Sequence, residues 1–359
     1  MKEDFSVASG YIAAPIAAEA TRMFAEAGEA STVVARQLEE NSALLRALTA
    51  RIRDLAPSIV YTCARGSSDH AATYAKYLFE TQLGIPALSQ APSISSIYGG
   101  ALPYMQGQLF LLVSQSGRSP DLLASAEAAA KSGALVVALV NDMDSPLAAM
   151  AEVVVPLYAG VETSVAATKS FIATLSAFAH LASNWRNDGA LDEDVARIPD
   201  DLAKAWTADW SAGVELLADV SNLYVLGRGL TLGVAQEAAL KCKETCGLHA
   251  EAFSIAEVAH GPMALVGPDF PVLVFPPLDQ ASAGLDQILA TFAARGAPIA
   301  IAGGGQKSSL TLPLSAGLSP ITGPISMVQS FYRLINALAV RRGFDPDNPP
   351  MLRKITKTT

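Results

Sequence analysis

Apolar residues in this chain gather in short unbroken runs set between longer stretches with helical spacing. Leu109 to Val113 and Leu135 to Val140 contain no polar position, and Pro298 to Gly303 is equally apolar. Runs of this length lack the alternation of a half-exposed strand, so they predict strands buried on both faces, as in a parallel sheet. Between them lie amphipathic segments. Pro15 to about Asp54 carries Met23, Phe24, Val33, Val34, Leu38, Leu44, Leu45 and Leu48 and predicts helix, as do Ser170 to Asn187 and Val234 to Cys246. After the Leu109 run comes Ser114-Gln115-Ser116-Gly117-Arg118-Ser119, then a helix with Ser119 as N-cap, Pro120 as first residue, Asp121 in the first turn and Gly133 at the close.

The pattern repeats at an offset of 163 residues. Ile59–Ser68 (IVYTCARGSS) lies over Asn222–Thr231 (NLYVLGRGLT), pairing Tyr61 with Tyr224, Arg65 with Arg228 and Gly66 with Gly229. The same offset pairs Gly133 with Gly296 and Leu135–Val140 with Pro298–Gly303. Each half reads helix, strand, glycine turn, helix, strand, polar loop, helix, strand. This predicts an α/β chain of two parallel sheets covered on both faces. Ligands in such sheets bind beyond the carboxyl ends of the strands, where Gly66-Ser67-Ser68 and the 114–119 loop both belong. The expected division is an N-terminal helical segment over 1–48, a first domain over 49–190, a linker over 191–207 within the acidic stretch that begins at Asn187, a second domain over 208–345 and an extended tail over 346–359.

With 359 residues, 51% of them hydrophobic, the chain can hold two complete cores. Its net charge of −9, without a run of five like charges, argues against a nucleic-acid surface. The charged first thirty residues exclude a secretory signal, and Ser170–Trp185 is short for a membrane span, so a cytoplasmic location is expected. Cys63, Cys242 and Cys246 give no disulfide framework and read as packing thiols. The carboxylates are scattered and the glycine turns lack the dinucleotide spacing, so neither a metal nor an organic cofactor is expected.

The 114–119 loop fits two readings when taken alone. Loop N–H groups, three serine hydroxyls and a helix N-terminus converge as in an anion site, here for a sugar phosphate. An ordinary strand-to-helix turn, its serines only capping the helix, has the same sequence. Likewise Glu237, Lys241 and Glu244 share a helix face, which fits an exposed ion-pair ladder as well as a catalytic carboxylate.

The segments CARGSS, SQSGRS, ETSVAATKSF, LGRG, EAALKCKETCGLHAEAF, EVAHGP and MLRKIT, in this order, resemble a pair of sugar isomerase (SIS) domains. The resemblance runs from about residue 20 to the C-terminus. It is closest to the isomerase half of the glutamine–fructose-6-phosphate transaminases. It implies two tandem three-layer αβα domains of flavodoxin-like form and a phosphorylated amino sugar or ketose as ligand. In the family Glu244 falls on the catalytic base and Lys241 beside it orients the base or touches substrate. His260 falls on the histidine that opens the sugar ring from the neighbouring subunit of a homodimer. Lys354 falls on the tail lysine that can form a Schiff base with a keto sugar, though Arg353 replaces a small residue there. Ser114, Gln115, Ser116 and Ser119 match phosphate-binding positions, Ser68 a further substrate serine, and Val165 a backbone contact to sugar hydroxyls. Ala167 stands where the synthases have serine, so one sugar contact is absent. His70 and His249 have weaker claims; His180, Thr168 and Lys169 read as structural.

Transaminase chains begin with a glutaminase domain whose nucleophile is the first cysteine. This sequence begins MKEDFS and has no cysteine before Cys63. The resemblance then points to an isomerising glucosamine-6-phosphate deaminase. A fructosamine-phosphate deglycase, a galactosamine-6-phosphate deaminase and an ammonia-dependent synthase share its scaffold. A regulator that binds sugar phosphate without turnover would need the serine loop but not Glu244, His260 and Lys354 together.

Overall fold

The computed structural model describes residues 16–187, 189–304 and 309–354. In the first half, β1 (Val60–Cys63), β2 (Ala87–Ser89), β3 (Leu109–Ser114), β4 (Leu135–Val140) and β5 (Val153–Pro156) form one parallel sheet in the order β2-β1-β3-β4-β5. In the second, β6 (Asn222–Gly227), β7 (His249–Ser254), β8 (Val272–Val274), β9 (Ile299–Ala302) and β10 (Leu310–Leu312) are ordered β10-β9-β8-β6-β7. Read from β7, this is the same topology. Shifted by 163 residues, Val60–Cys63 falls inside β6, so the repeat in the sequence is a repeat of the fold.

The helices follow in chain order: α1 (Arg22–Gly28), α2 (Ala30–Leu55), α3 (Ser67–Gln82), α4 (Ser93–Ser96), α5 (Pro120–Lys131), α6 (Pro146–Met150), α7 (Lys169–Arg186), α8 (Gly189–Thr207), α9 (Ser211–Leu217), α10 (Leu232–Cys246), α11 (Leu285–Ala294) and α12 (Gly323–Arg341). The unbroken apolar runs are buried on both faces for a visible reason. Leu109, Leu111 and Val113 of β3 point into a central core, while Phe110 and Leu112 point into an outer one. Around β8, Leu273 and Phe275 enter the same central core, and Val272 and Val274 a third cluster. The helices between the sheets, α3, α7, α10 and α12, are therefore apolar on much of their surface; on α7 nearly every residue is buried.

One crossing in this layer sets up the site. Gly233, in the first turn of α10, lies so close to α3 that a Cβ there would sit 2.5 Å from the His70 carbonyl oxygen and 3.0 Å from the Tyr74 nitrogen. A side chain at this position would push the two helices apart.

Two expectations need correction. The stretch 191–207 is not an open linker but the body of α8, with Leu191, Val195, Ile198 and Leu202 buried against neighbouring helices. Asp192, Glu193 and Asp200 are exposed, while Asp201 is buried with the apolar stripe. The proposed boundary at residue 48 also falls inside α2, which continues to Leu55.

Candidate active site

The carboxyl ends of β1 and β3 open onto a recess of about 300 Å³ lined by Arg65, Ser67, Ser68, Ser114, Gln115, Ser116, Ser119, Ala167 and Lys354, among others. The loop after β3 is held by its glycine. Gly117 has φ +61°, its N–H donates to Ser114 Oγ (3.0 Å), and its carbonyl accepts from Leu147 N (3.1 Å). A Cβ at this position would lie 2.2 Å from Ser145 Oγ. Glycine is required on both counts.

Ser119 occupies the N-cap position of α5 with extended dihedrals, and Pro120 follows at the first helical position. Its side chain caps nothing, however, contrary to the expected role. Gly66, at the N-cap of α3, brings no side chain to cap with. The hydroxyls of Ser68, Ser116 and Ser119 and the Gln115 carboxamide make no hydrogen bond among the described residues. Two helix N-termini thus face one recess beside unengaged polar groups, the arrangement that binds anions. Gly133, one residue beyond the α5 C-cap, has φ +80° and ends that helix as expected.

Ser67 links this recess to α10. Lys241 Nζ donates to Ser67 Oγ (3.0 Å) and Glu244 Oε2 (2.6 Å), and lies 3.1 Å from Glu237 Oε1. Glu237 also accepts from Ser67 Oγ (3.1 Å) and Tyr332 OH (3.1 Å), and faces His70 Nδ1 at 3.1 Å. The side chains of Glu237 and Lys241 are 0% and 1% exposed, that of Glu244 21%. The i, i+4 spacing is therefore not an exposed ladder but a buried ion pair with one carboxylate at its accessible end. Burial pushes the Glu237 carboxyl up, but the Lys241 charge and the His70 hydrogen bond outweigh it and hold it at about 2. Burial likewise opposes the charged form of Lys241, and the two carboxylates reverse this, keeping it charged above the ordinary lysine range.

The tail also reaches the recess, through Lys354. Asp347 accepts from the Arg22 and Met23 N–H groups at the start of α1, and Val165 N donates to the Asp347 carbonyl (3.3 Å). Lys354 Nζ then donates to the Ser164 carbonyl (2.7 Å) and lies 3.1 Å from Glu162 Oε2. Glu162 is wholly buried. Burial raises its carboxyl, yet the Lys354 charge and hydrogen bonds from Ser170 and Thr168 bring it below the ordinary value.

Of the residues singled out in the sequence, Ser68, Ser114, Gln115, Ser116, Ser119, Ala167 and Lys354 line the recess, and Lys241 and Glu244 join it through Ser67. Val165 is bound to the tail by its N–H rather than lining the recess. His260 ends an exposed 3₁₀ turn (Glu257–His260) and does not line it. Sequence reasoning did not select Ser67, Glu162, Tyr332 or Arg65. Thr168 and Lys169 are structural, as read: Thr168 precedes α7, and buried Lys169 pairs with Glu29 (2.7 Å). Among the described residues, no cluster of His, Cys, Asp or Glu is placed to hold a metal ion, and no helix is long and apolar enough to cross a membrane.

Two parallel sheets of one topology, the first with serine loops at its carboxyl edge, define a phosphosugar isomerase fold. The chain belongs to the SIS domain family, whose model matches residues 57–184 and 216–341. It is 32% identical over 305 residues to the isomerizing glutamine–fructose-6-phosphate aminotransferase of Methanothermobacter thermautotrophicus, covering 81% of this chain and 50% of that protein. The chain thus spans about half the length of such relatives. A candidate phosphosugar isomerase from Silicibacter pomeroyi DSS-3 superposes with a TM-score of 0.87 at 42% identity, covering 91% of this chain and 100% of that one. Glucosamine-6-phosphate deaminase from Thermotoga maritima shares the fold, with a TM-score of 0.76 at 20% identity over 94% of this chain and 100% of that one.

Proposed function

We propose that this chain is an isomerising deaminase converting glucosamine 6-phosphate and water to fructose 6-phosphate and ammonia. The observation that carries the reading is one recess lined by the uncapped serine loop, Lys354 and Ser67, with Ser67 linked through Lys241 to Glu244 just outside that lining. The serine loop and the helix N-termini hold the phosphate. Once the ring is open, Glu244 removes the proton from C2 and returns it to C1, giving a C2 imine. Water adds to that carbon and ammonia leaves. One carboxylate must serve both carbons, so it needs a fixed position and an accessible oxygen. Lys241 provides the first, pinned as it is between Glu237 and Glu244.

The three thiols of this chain serve packing rather than chemistry. Cys63, Cys242 and Cys246 are all buried; burial pushes Cys63 and Cys246 up to about 12 and Cys242 well above the ordinary thiol range. His260 we assign to ring opening across the interface of a homodimer, since it is exposed and does not line the recess of its own chain.

A panel of phosphorylated amino sugars, with ammonia and fructose 6-phosphate detected together, tests the reaction. Turnover of glucosamine 6-phosphate, lost about a hundredfold or more in Glu244→Gln, is the expected result. Turnover only of a fructosyl-amino-acid phosphate, or full activity in Glu244→Gln, would reject it. Mixing Glu244→Gln and His260→Ala chains tests the shared site: hybrid dimers regain activity only if each site draws on both subunits.

A further inference from the structure

We propose that Arg65 is the cationic ligand of the substrate's phosphate group. The assignment rests on the reading of the serine recess as a phosphate site and adds to it a residue that neither the sequence motifs nor the loop geometry singled out. Arg65 follows β1 and lines the recess beside Ser114, Gln115, Ser116 and Ser119. Its guanidinium is fixed along one edge: Nε lies 2.9 Å and Nη2 2.8 Å from the same oxygen of Asp121, Oδ2. Asp121 is a firm anchor because its side chain is 0% exposed and its other oxygen accepts from Leu122 N (2.9 Å).

The remaining nitrogen, Nη1, makes no hydrogen bond among the described residues, and the side chain as a whole is 49% exposed. A guanidinium held flat by one carboxylate, with a free donor edge beside unengaged hydroxyls, is preorganised to take a phosphate oxygen. The other cation lining the recess is already engaged: Lys354 is bound to Glu162 and the Ser164 carbonyl. A chain of net charge −9 repels a dianion at long range, so its capture needs such a local donor. The repeat offers a contrast. Arg228, the counterpart of Arg65, donates its Nη1 to the Ala283 carbonyl (3.2 Å) and so acts as a backbone strap.

The alternative, that Arg65 also only straps β1 to α5, makes different predictions. Binding of inorganic phosphate and of glucose 6-phosphate, with glucose as control, is measured by titration calorimetry on the full chain, its Arg65→Met and Arg65→Lys variants, and Ser119→Ala. KM and kcat are measured on whichever amino-sugar phosphate is turned over. Expected for Arg65→Met is a tenfold or greater rise in the dissociation constants of both phosphates and in KM, with kcat within about threefold. Lysine, a single point charge, should recover only part of the loss. Unchanged phosphate affinity with a lower kcat or melting temperature would overturn the assignment and leave a strap. If Arg65→Met fails to fold, Arg65→Lys with unchanged phosphate affinity has the same force. If the unaltered chain binds neither phosphate while Ser119→Ala changes nothing, the phosphate reading itself falls. If it binds both phosphates but deaminates no amino sugar, only the proposed reaction falls.

Discussion

Gly233 and His70 stand backbone to backbone where α10 crosses α3: a Cβ on the glycine would be 2.5 Å from the histidine carbonyl oxygen. Glu237 lies one turn further along α10, so this contact sets how near Glu237 and Lys241 come to Ser67 and His70. Gly233→Ala should force the helices apart, costing about 1–3 kcal/mol in urea unfolding despite alanine's better helix propensity. Activity should fall further than stability, because the Ser67–Lys241 contact is lost. A variant as stable and as active as the parent would show that the crossing does not position the site.

Ser119 offers a separation of capping from binding. Replacing an ordinary capping serine by alanine costs about 1 kcal/mol. Here the hydroxyl caps nothing, so Ser119→Ala should leave unfolding within about 0.5 kcal/mol of the parent. Its KM for a phosphorylated substrate should nevertheless rise. The opposite pattern, a destabilised protein with unaltered KM, would return Ser119 to a structural role.

The buried Glu237–Lys241 pair fixes a pH range for stability. The folded Glu237 carboxyl titrates at about 2 against an ordinary 4.5, so its contribution is complete above 4.5 and disappears as pH falls toward 2. Lys241 is shifted upward from 10.5, so its contribution is complete below that value and disappears only as pH rises beyond it. Urea titrations should show Glu237→Gln flattening the acid limb. Because Lys241 keeps Glu244 as a partner at 2.6 Å, Glu237→Gln should cost less than the about 3–5 kcal/mol expected when a buried charge is left wholly unpaired. The acid limb of Glu237→Gln matching that of the parent would mean that other carboxylates govern acid unfolding.

Lys354 is within reach of a ligand in the recess yet paired with Glu162, so a keto sugar that forms a Schiff base there must first displace the carboxylate. Borohydride added during incubation with fructose 6-phosphate should fix the sugar to Lys354, detectable by peptide mass, and Lys354→Arg should abolish the adduct. Labelling elsewhere, or none, with turnover retained in Lys354→Arg, would leave the lysine an electrostatic role.

The architecture was legible because unbroken runs such as Leu135–Val140 and the offset of 163 residues are properties of the chain itself. The serine loop and Lys354 were found through motifs, and the recess brings them together. The Glu237 network was not found, since nothing in the spacing of Glu237, Lys241 and Glu244 says whether that face meets water or α3. That depends on a close approach at a glycine 163 residues from His70, a tertiary fact. Helix α8 was missed for a different reason: Pro199 and a dense set of acids hid the i, i+4, i+7, i+11 series Leu191, Val195, Ile198, Leu202. That period marks a buried stripe whatever lies on the opposite face.

The middle helical layer, wedged between two sheets of like topology, has a bearing on how the molecule comes apart. Leu111 of one repeat and Leu273 of the other rest on the same apolar mass. Neither copy can melt alone without baring the side chains on which its twin depends. Duplication has thus yielded not two beads on a string but a single cooperative body, expected to denature in one calorimetric peak.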